Sequence, residues 1–140
     1  MEKLTSFTFR GDTLSAQFQE SLEVTEGVVC DVYIHPETNE RDLGIINIQP
    51  GCKTPLQRVI GGDETIEGFI SGKGKLTISY ADPKRTPTVY EVDDQTGEGF
   101  TCIVEVGETM QWEASENCEL VAFEICYPPY KDGRYVNLPE

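Results

Sequence analysis

The stretch Leu43–Tyr80, LGIINIQPGCKTPLQRVIGGDETIEGFISGKGKLTISY, decides the fold. Leu43–Gln49 is typical of a strand that ends at a Pro-Gly dipeptide, because proline removes a backbone donor and glycine adopts turn conformations. Thr65–Ile70 is a second β-rich run, and Lys75–Tyr80 alternates apolar with polar residues. The intervening Ser71-Gly72-Lys73-Gly74 predicts a tight reversal. The stretch therefore predicts antiparallel strands without helices.

Short β-rich runs continue on both sides of this stretch. Turn residues separate the other runs, which are Val28–Ile34, Val59–Ile60, Thr88–Val92, Phe100–Val106, Met110–Ala114 and Leu120–Cys126. Helical periodicity is weak throughout, and Leu4–Glu23 is the best candidate for a short helical turn. Strands at this spacing without helices between them predict an all-β sandwich or barrel.

Length and charge limit the organisation and the partners. The 140 residues predict a single domain 1–140, with a barrel core at 28–128, an N-terminal arm at 1–25 and a C-terminal tail at 129–140. The 25 acidic residues outnumber the 11 Lys and Arg, so the formal net charge is −14. Such a chain repels phosphate groups, and we expect it to bind neither nucleic acid nor an anionic membrane surface.

The sequence also suggests a compartment. It contains neither an apolar run long enough to span a bilayer nor an N-terminal signal core, so we expect a cytoplasmic protein. Five cysteines, an odd number without a Cys-x-x-Cys pair, are expected to be free thiols in a reducing compartment.

Glycines and prolines carry a family resemblance. Pro50-Gly51, then Pro55, then Gly72-Lys73-Gly74 resemble the first motif of the cupin superfamily, whose members are small jelly-roll barrels (double-stranded β-helices). Val106–Trp112 resembles a shortened second motif, and Phe123–Tyr130 resembles the closing strand of single-domain cupins. The resemblance implies an all-β jelly-roll fold for about two-thirds of the chain.

The resemblance also implies where a metal would be held. Cupins usually bind a metal through two His and one Glu of the first motif and one His of the second. The matching positions here carry Gln57, Val59, Thr65 and Gln111. Because valine has no donor atom and neutral carboxamides are weak ligands, we expect neither a transition metal nor another cofactor. The single histidine, His35, lies outside both motifs and is expected to have a surface or packing role.

Strand alternation then assigns residues to the barrel interior, since side chains two apart share a face. If Gln57 points inward as the metal-site histidines do, the expected inward residues are Gln57, Val59, Thr65, Glu67, Phe69, Gln111, Glu113, Ala122, Glu124 and Cys126. The opposite face of the last strand is apolar and is expected to pack on another sheet or a second subunit.

This cluster predicts a small-molecule pocket. Phe69, Trp112 or Tyr33 would form its walls, the carboxamides would form hydrogen bonds, and the carboxylate Glu67 or Glu113 would act as the acid or base. Three functions remain open. The first is a metal-free ligand-binding module, and the second is a metal-independent isomerase, epimerase or lyase of a biosynthetic pathway. The third is a structural or scaffold protein, which requires that side chains fill the interior.

Two further alternatives concern ions and assembly. Acidic residues, namely Asp63, Glu64, Glu67 and Glu113, would bind Ca²⁺ or Mg²⁺ only if a loop gathered them; otherwise they form a solvated face. Tyr127–Leu138 contains Tyr and Arg, which are enriched in interfaces, so this tail either crosses to a partner subunit or frays. We expect a homodimer.

Overall fold

The computed structural model describes residues 2–130 and 133–140. Its strands are β1 (Ser6–Phe9), β2 (Asp12–Ser15), β3 (Gln17–Thr25), β4 (Val28–Ile34), β5 (Asp42–Ile48), β6 (Gln57–Val59), β7 (Glu64–Ser79), β8 (Thr88–Asp93), β9 (Thr101–Val104), β10 (Thr109–Ala114), β11 (Leu120–Tyr127) and β12 (Tyr135–Asn137). A short 3-10 helix, Asp94–Thr96, follows β8. The predicted all-β architecture is confirmed.

The strands form a curled antiparallel sheet that β7 organises. The first half of β7 pairs with β11 and β9, and β11 continues the sheet to β5, β4 and the edge strand β3. The second half of β7 pairs with β10 and β8, and β10 continues to β6 and β12. One 16-residue strand thus joins both walls of a jelly-roll barrel.

The expected reversal at Ser71–Gly74 is wrong, because β7 runs through these residues without turning back. Gly72 has φ +91°, and a Cβ there would lie 1.9 Å from the carbonyl oxygen of Glu119. A Cβ on Gly74 would lie 2.1 Å from the carbonyl oxygen of Glu113. The glycines therefore let β7 bend across the barrel against neighbouring backbone.

Two apolar clusters lie on opposite faces of the sheet. The inner cluster includes Leu76, Met110 and Trp112 and fills one end of the barrel. The outer cluster includes Phe123 and Ile125 of β11. Burial on both faces explains the continuous apolar run of β11.

The N-terminal arm covers the outer cluster, and the expected helical turn is wrong. Residues 6–15 form the hairpin β1–β2, whose two-residue turn Arg10-Gly11 has φ values of 52° and 81°. Positive φ at both central residues is the mark of a type I′ turn. Phe7 and Phe9 lie with their ring centroids 5.0 and 6.2 Å from that of Phe123.

The C-terminal tail packs on its own barrel. β12 pairs with β6, and the backbone N–H of Leu138 donates to the carbonyl of Leu56 at 2.8 Å. The N-terminal hairpin and the C-terminal tail of the same chain thus cover the surfaces for which the sequence analysis considered a partner subunit. The homodimer stays a prediction. Within the described residues, none of the helical structure is long and apolar enough to cross a membrane.

Candidate functional site

A cavity of about 230 Å³ opens into the barrel interior between β3 and the tail. Its walls are apolar side chains of β3, β4 and β5, including Leu22, Val32 and Ile46. Its polar lining comes from β5, β6, β11 and the tail, namely Asp42, Gln57, Glu124, Tyr130 and Tyr135. Leu22 is 47 % exposed, which places the mouth of the cavity beside the edge strand.

Two carboxyl groups meet beside the cavity. Glu67 of β7 and Glu124 of β11 are directly opposite in the strand register and share the inner face. Glu67 is 1 % exposed, and its Oε1 accepts a hydrogen bond of 2.8 Å from Nε1 of Trp112. Burial, and next the charge of Glu124, raise the pKa of Glu67 well above its ordinary value. Glu67 therefore holds its proton more tightly than an exposed glutamate.

Tyr135 supports Glu124 from the tail. The Tyr135 hydroxyl donates to Oε1 of Glu124 at 2.8 Å and lies 2.9 Å from Sγ of Cys126. Burial is the main cause that raises the pKa of the Cys126 thiol and of the Tyr135 phenol, and the charge of Glu124 is the second. Both groups therefore stay protonated and act as hydrogen-bond donors rather than nucleophiles.

Arg134 fastens the tail beneath this cluster. Its side chain is 5 % exposed and donates to the carbonyl oxygens of Glu64, Tyr127 and Pro128 at 2.6, 3.1 and 2.8 Å. It also donates to the Thr65 hydroxyl at 3.2 Å. The guanidinium thus fixes the chain before β12 and sets the position of the Tyr135 ring.

Asp42 forms a second polar wall. Its two carboxylate oxygens accept from the backbone N–H groups of Cys126 and Tyr130 at 3.0 and 2.7 Å. Burial raises the pKa of Asp42, and these hydrogen bonds oppose that shift. Asp42 therefore ties β5 to the start of the tail next to Glu124.

Several predicted site residues lie on the inner face. Val59 and Phe69 belong to the inner cluster or pack against it, Thr65 binds Arg134, and Glu124 lines the cavity. Gln57 also lines the cavity, and its Nε2 donates to Oδ1 of Asn137 at 3.0 Å. The structure thus brings most of the predicted β6, β7 and β11 residues to one side of the barrel.

Tyr33 lies elsewhere, and the expectation that it walls the pocket is corrected. It belongs to the outer cluster, and its hydroxyl accepts from the N–H of Leu4 at 3.0 Å. The inner face of β4 carries Val28, Cys30 and Val32 instead. His35 packs as expected, since it is buried and its Nδ1 donates to the carbonyl of Ser15 at 2.7 Å.

Gln111 and Glu113 point outward, so the predicted face of β10 is inverted. Met110 and Trp112 fill the inner cluster. Gln111 donates to Glu140 at 2.7 Å, and Glu113 lies 3.7 Å from Nζ of Lys75 at the surface. Burying Met and Trp removes far more apolar area from water than burying Gln and Glu, and this difference sets the face of the strand. Glu113 is therefore not beside Glu67.

Glu113 instead borders an open groove of about 650 Å³ on the outside of the barrel. This groove is lined largely by charged side chains, among them Lys73, Lys75, Glu91 and Asp93. Pockets that bind small organic molecules are mostly apolar with few polar groups. The interior cavity matches that description better than the groove does.

The residues do not fit the metal site that the resemblance implies. Val59 is buried and apolar, the amide of Gln57 bonds Asn137, and Gln111 faces outward. The described residues contain no group of three His, Cys, Asp or Glu side chains that could hold a metal ion. Glu64, one of the acidic residues considered for Ca²⁺ or Mg²⁺, pairs with Arg10 at 2.9 Å on the outer surface.

Sequence reasoning missed three residues that surround Glu124, two in the tail and one at the start of β5. Tyr135, Arg134 and Asp42 become neighbours of Glu124 only through the pairing of β12 and β5. The available signal is the Tyr- and Arg-containing tail, for which the sequence left an interface with a partner and a frayed terminus equally open. Cys126 and Glu124 were placed correctly on one face but not linked to Tyr135.

Comparison with known proteins supports the fold. No protein-family model and no curated protein sequence matches the chain. Among solved structures, it resembles the capsular polysaccharide assembling protein CapF from Staphylococcus aureus, with TM-score 0.67 and 14 % identity over 86 % of this chain and 35 % of CapF. It also resembles Bacillus subtilis oxalate decarboxylase, a protein with Mn(II) centers, with TM-score 0.64 and 20 % identity over 86 % of this chain and 30 % of that one.

A third similar structure is closer in length. KdgF from Halomonas sp. matches with TM-score 0.60 and 10 % identity, and the match covers 81 % of this chain and 91 % of KdgF. The chain spans only about a third of the length of CapF and of the decarboxylase. All three have the cupin fold. The jelly-roll barrel and these likenesses together establish that this chain has the cupin fold.

Proposed function

We propose that the chain binds a small organic molecule in the interior cavity, without a transition metal. The supporting observation is the cavity of about 230 Å³, with apolar walls and a polar end. An apolar cavity of roughly 150 Å³ holds one benzene molecule, so this one has room for a substituted ring. Glu124, Tyr135 and Gln57 are placed to orient such a ligand through hydrogen bonds.

Trp112 provides a built-in reporter for this binding. It is the only tryptophan in the chain, and its indole N–H bonds Glu67, the partner of Glu124. Benzyl alcohol is a suitable neutral probe because it combines one ring with one hydroxyl. We expect a saturable change in tryptophan emission and a matching heat of binding in calorimetry.

A pair of variants on one strand localises the binding. Val32→Phe places a larger side chain in the cavity and is expected to abolish binding of benzyl alcohol. Val29→Phe makes the same change on the opposite face of β4 and is expected to leave binding within about twofold. Equal binding by both variants, or no binding of benzyl alcohol to the native protein at millimolar concentration, would contradict the proposal.

The carboxyl pair favours a second candidate, a metal-independent enzyme that moves protons. Glu67 is held protonated by burial beside Glu124, and paired carboxyls whose environments differ often act as acid and base. In this candidate the Glu124 carboxylate takes a proton from a carbon next to a carbonyl, and Glu67 donates its proton to the carbonyl oxygen. The products are the enol, a Glu124 carboxylic acid and a Glu67 carboxylate.

Deuterium exchange tests this candidate without knowledge of the natural substrate. Cyclohexanone in heavy water would exchange its α-protons faster with the protein than without it, as measured by NMR. Glu67→Gln would remove the acceleration but keep the binding of benzyl alcohol. Binding without any acceleration would leave the ligand-binding module as the function.

A further inference from the structure

We infer that the cavity selects an organic cation, such as a protonated primary amine on one ring, over a carboxylate of the same shape. This inference rests on the proposed binding function and names the chemical class of the ligand. It concerns a property that the apolar walls do not determine, namely the charge of the group that meets the polar end of the cavity.

The charged groups that line the cavity are acidic. Asp42 and Glu124 both contribute to the lining, and none of the lining residues that the structure describes is Lys or Arg. Arg134 lies nearby, but three backbone carbonyls and the Thr65 hydroxyl accept its hydrogen bonds. Among the described residues, a ligand carboxylate would therefore meet two carboxylates and no available cationic partner. Like charges at contact distance repel strongly in a poorly solvated site.

The carboxylate oxygens of Asp42 and Glu124 in the cavity lining favour a ligand with hydrogen-bond donors, and Glu67 behind them does not change this preference. Oε2 of Glu67 is buried and has no hydrogen-bond partner among the described residues. Glu67 is neutral and its Oε1 already accepts from Trp112, so Oε2 carries the proton and faces Glu124 across the strand pair. Glu67 therefore brings no positive charge to the cavity wall. An ammonium group carries three donors and no acceptor, which matches a set of carboxyl oxygens.

The titration of the neighbouring thiol agrees with a negative potential in the cavity. Burial, and next the charge of Glu124, raise the pKa of Cys30 to about 12. Cys30 lines the cavity on β4, so its thiol senses the same potential that a ligand would meet. This potential disfavours an added negative charge and favours an added positive one.

Two aromatic rings add a further preference for cations. Tyr130 and Tyr135 both line the cavity and stack with their centroids 5.6 Å apart. The face of a tyrosine ring attracts an ammonium group, and the attraction is larger where water is excluded. The ring of the ligand would pack on the apolar side chains Val28, Val32 and Ile46, opposite these groups.

Three probes of similar size test the inference. Benzylamine, benzyl alcohol and benzoate each carry one polar group on a benzene ring and differ chiefly in its charge, and calorimetry near neutral pH gives their affinities. We expect benzylamine to bind at least about tenfold more tightly than benzoate, with benzyl alcohol between them. Glu124→Gln is expected to weaken benzylamine about tenfold and to change benzyl alcohol by less than about threefold.

The control variant separates a local charge from the net charge of the molecule. Glu91→Gln removes one exposed carboxylate of β8, the same formal change as Glu124→Gln, and should leave all three affinities unchanged. The inference would be overturned if benzoate bound as tightly as benzylamine, or if the two variants had equal effects. In either case, binding of benzyl alcohol would still support the proposed function. Failure of all three probes to bind would overturn both.

Discussion

Glu67 shows how one inward position of a strand changes the chemistry of a common residue. It lies in a row with Thr65 and Phe69, and the alternation of β7 sends all three into the barrel. There Glu67 loses its hydration and gains one hydrogen bond from Trp112, and the carboxyl group of Glu124 is its neighbour across the strand pair. A carboxyl in this setting favours its neutral form, because a buried charge without a compensating cation is costly.

The first prediction concerns the pH dependence of stability. Burial raises the pKa of Glu67 in the folded protein above its ordinary value of 4.5, so folded Glu67 binds a proton that unfolded Glu67 releases. Its contribution to stability is therefore complete below pH 4.5 and is lost as the pH rises through the folded pKa. Glu67→Gln has no proton to lose.

Denaturant unfolding at several pH values measures this effect. As the pH rises above 4.5, the free energy of unfolding should fall more steeply for the native protein than for Glu67→Gln. Glu91→Gln removes an exposed carboxylate and should keep the native slope. A native protein and a Glu67→Gln variant with parallel pH profiles would show that Glu67 titrates normally.

The second prediction concerns Arg134, whose planar guanidinium group donates hydrogen bonds to several backbone carbonyls at once. Arg134→Lys keeps the charge but leaves most of those carbonyls without a donor, and should cost about 3 kcal/mol or more in the free energy of unfolding. Hydrogen exchange at the Leu138 amide should also accelerate. Arg58→Lys, an exposed change on the adjacent strand β6, should stay within about 0.5 kcal/mol. Similar losses in both variants would contradict the assigned role.

The sequence predicted correctly which side chains point into the barrel where the alternation of strand residues and their apolar content agreed. The row Thr65, Glu67 and Phe69 was predicted inward, and so was Glu124. Tyr33 was misplaced because an aromatic residue fits either face of β4, and its true partners in the N-terminal hairpin were unknown. Tyr135 was missed because its contact with Glu124 depends on the path of the tail after β11.

At the scale of elements, most strands could be predicted but their relations could not. Val28–Ile34 agrees with β4 at both ends, and Leu120–Cys126 agrees with β11 to within one residue. The face of β10 was inverted because the motif match was given priority over the burial of Trp112. The hairpin β1–β2 carried a signal that was overlooked, namely Phe7 and Phe9 alternating before Arg10-Gly11.

The third prediction belongs to β7, whose bend lets one strand serve two walls. Gly74→Ala would put a Cβ 2.1 Å from the Glu113 carbonyl oxygen, and backbone cannot move aside as a flexible side chain can. We expect a loss of at least about 1–3 kcal/mol in the free energy of unfolding, measured by denaturant titration. Gly99→Ala has open space around it and should change stability by about 0.5 kcal/mol or less. Equal stabilities of the two variants would mean that the close contact between Gly74 and the Glu113 backbone is not required for the bend of β7.

The whole molecule carries a formal charge of −14, which sets the fourth prediction. Three of the four ion pairs among the described residues lie at the surface, and the fourth joins the exposed Lys3 to the buried Asp31. Surface pairs compensate little of the repulsion between the remaining carboxylates. Salt screens repulsion between exposed charges over about 10 Å at 0.1 M. Raising sodium chloride from about 10 to 150 mM should therefore raise the midpoint of thermal unfolding.

Charge variants distinguish screening from a specific ion effect. Potassium chloride should act as sodium chloride does, because screening depends on ionic strength rather than on the identity of the ion. A triple variant Glu91→Gln, Glu98→Gln and Glu105→Gln removes three exposed charges and should start from a higher midpoint with a smaller response to salt. A midpoint that does not change with salt, or a triple variant with the native response, would show that local packing rather than net charge limits stability. The proposed cation selectivity depends on the carboxylates inside the cavity and not on these surface charges. The triple variant should therefore leave the relative affinities for benzylamine and benzoate unchanged.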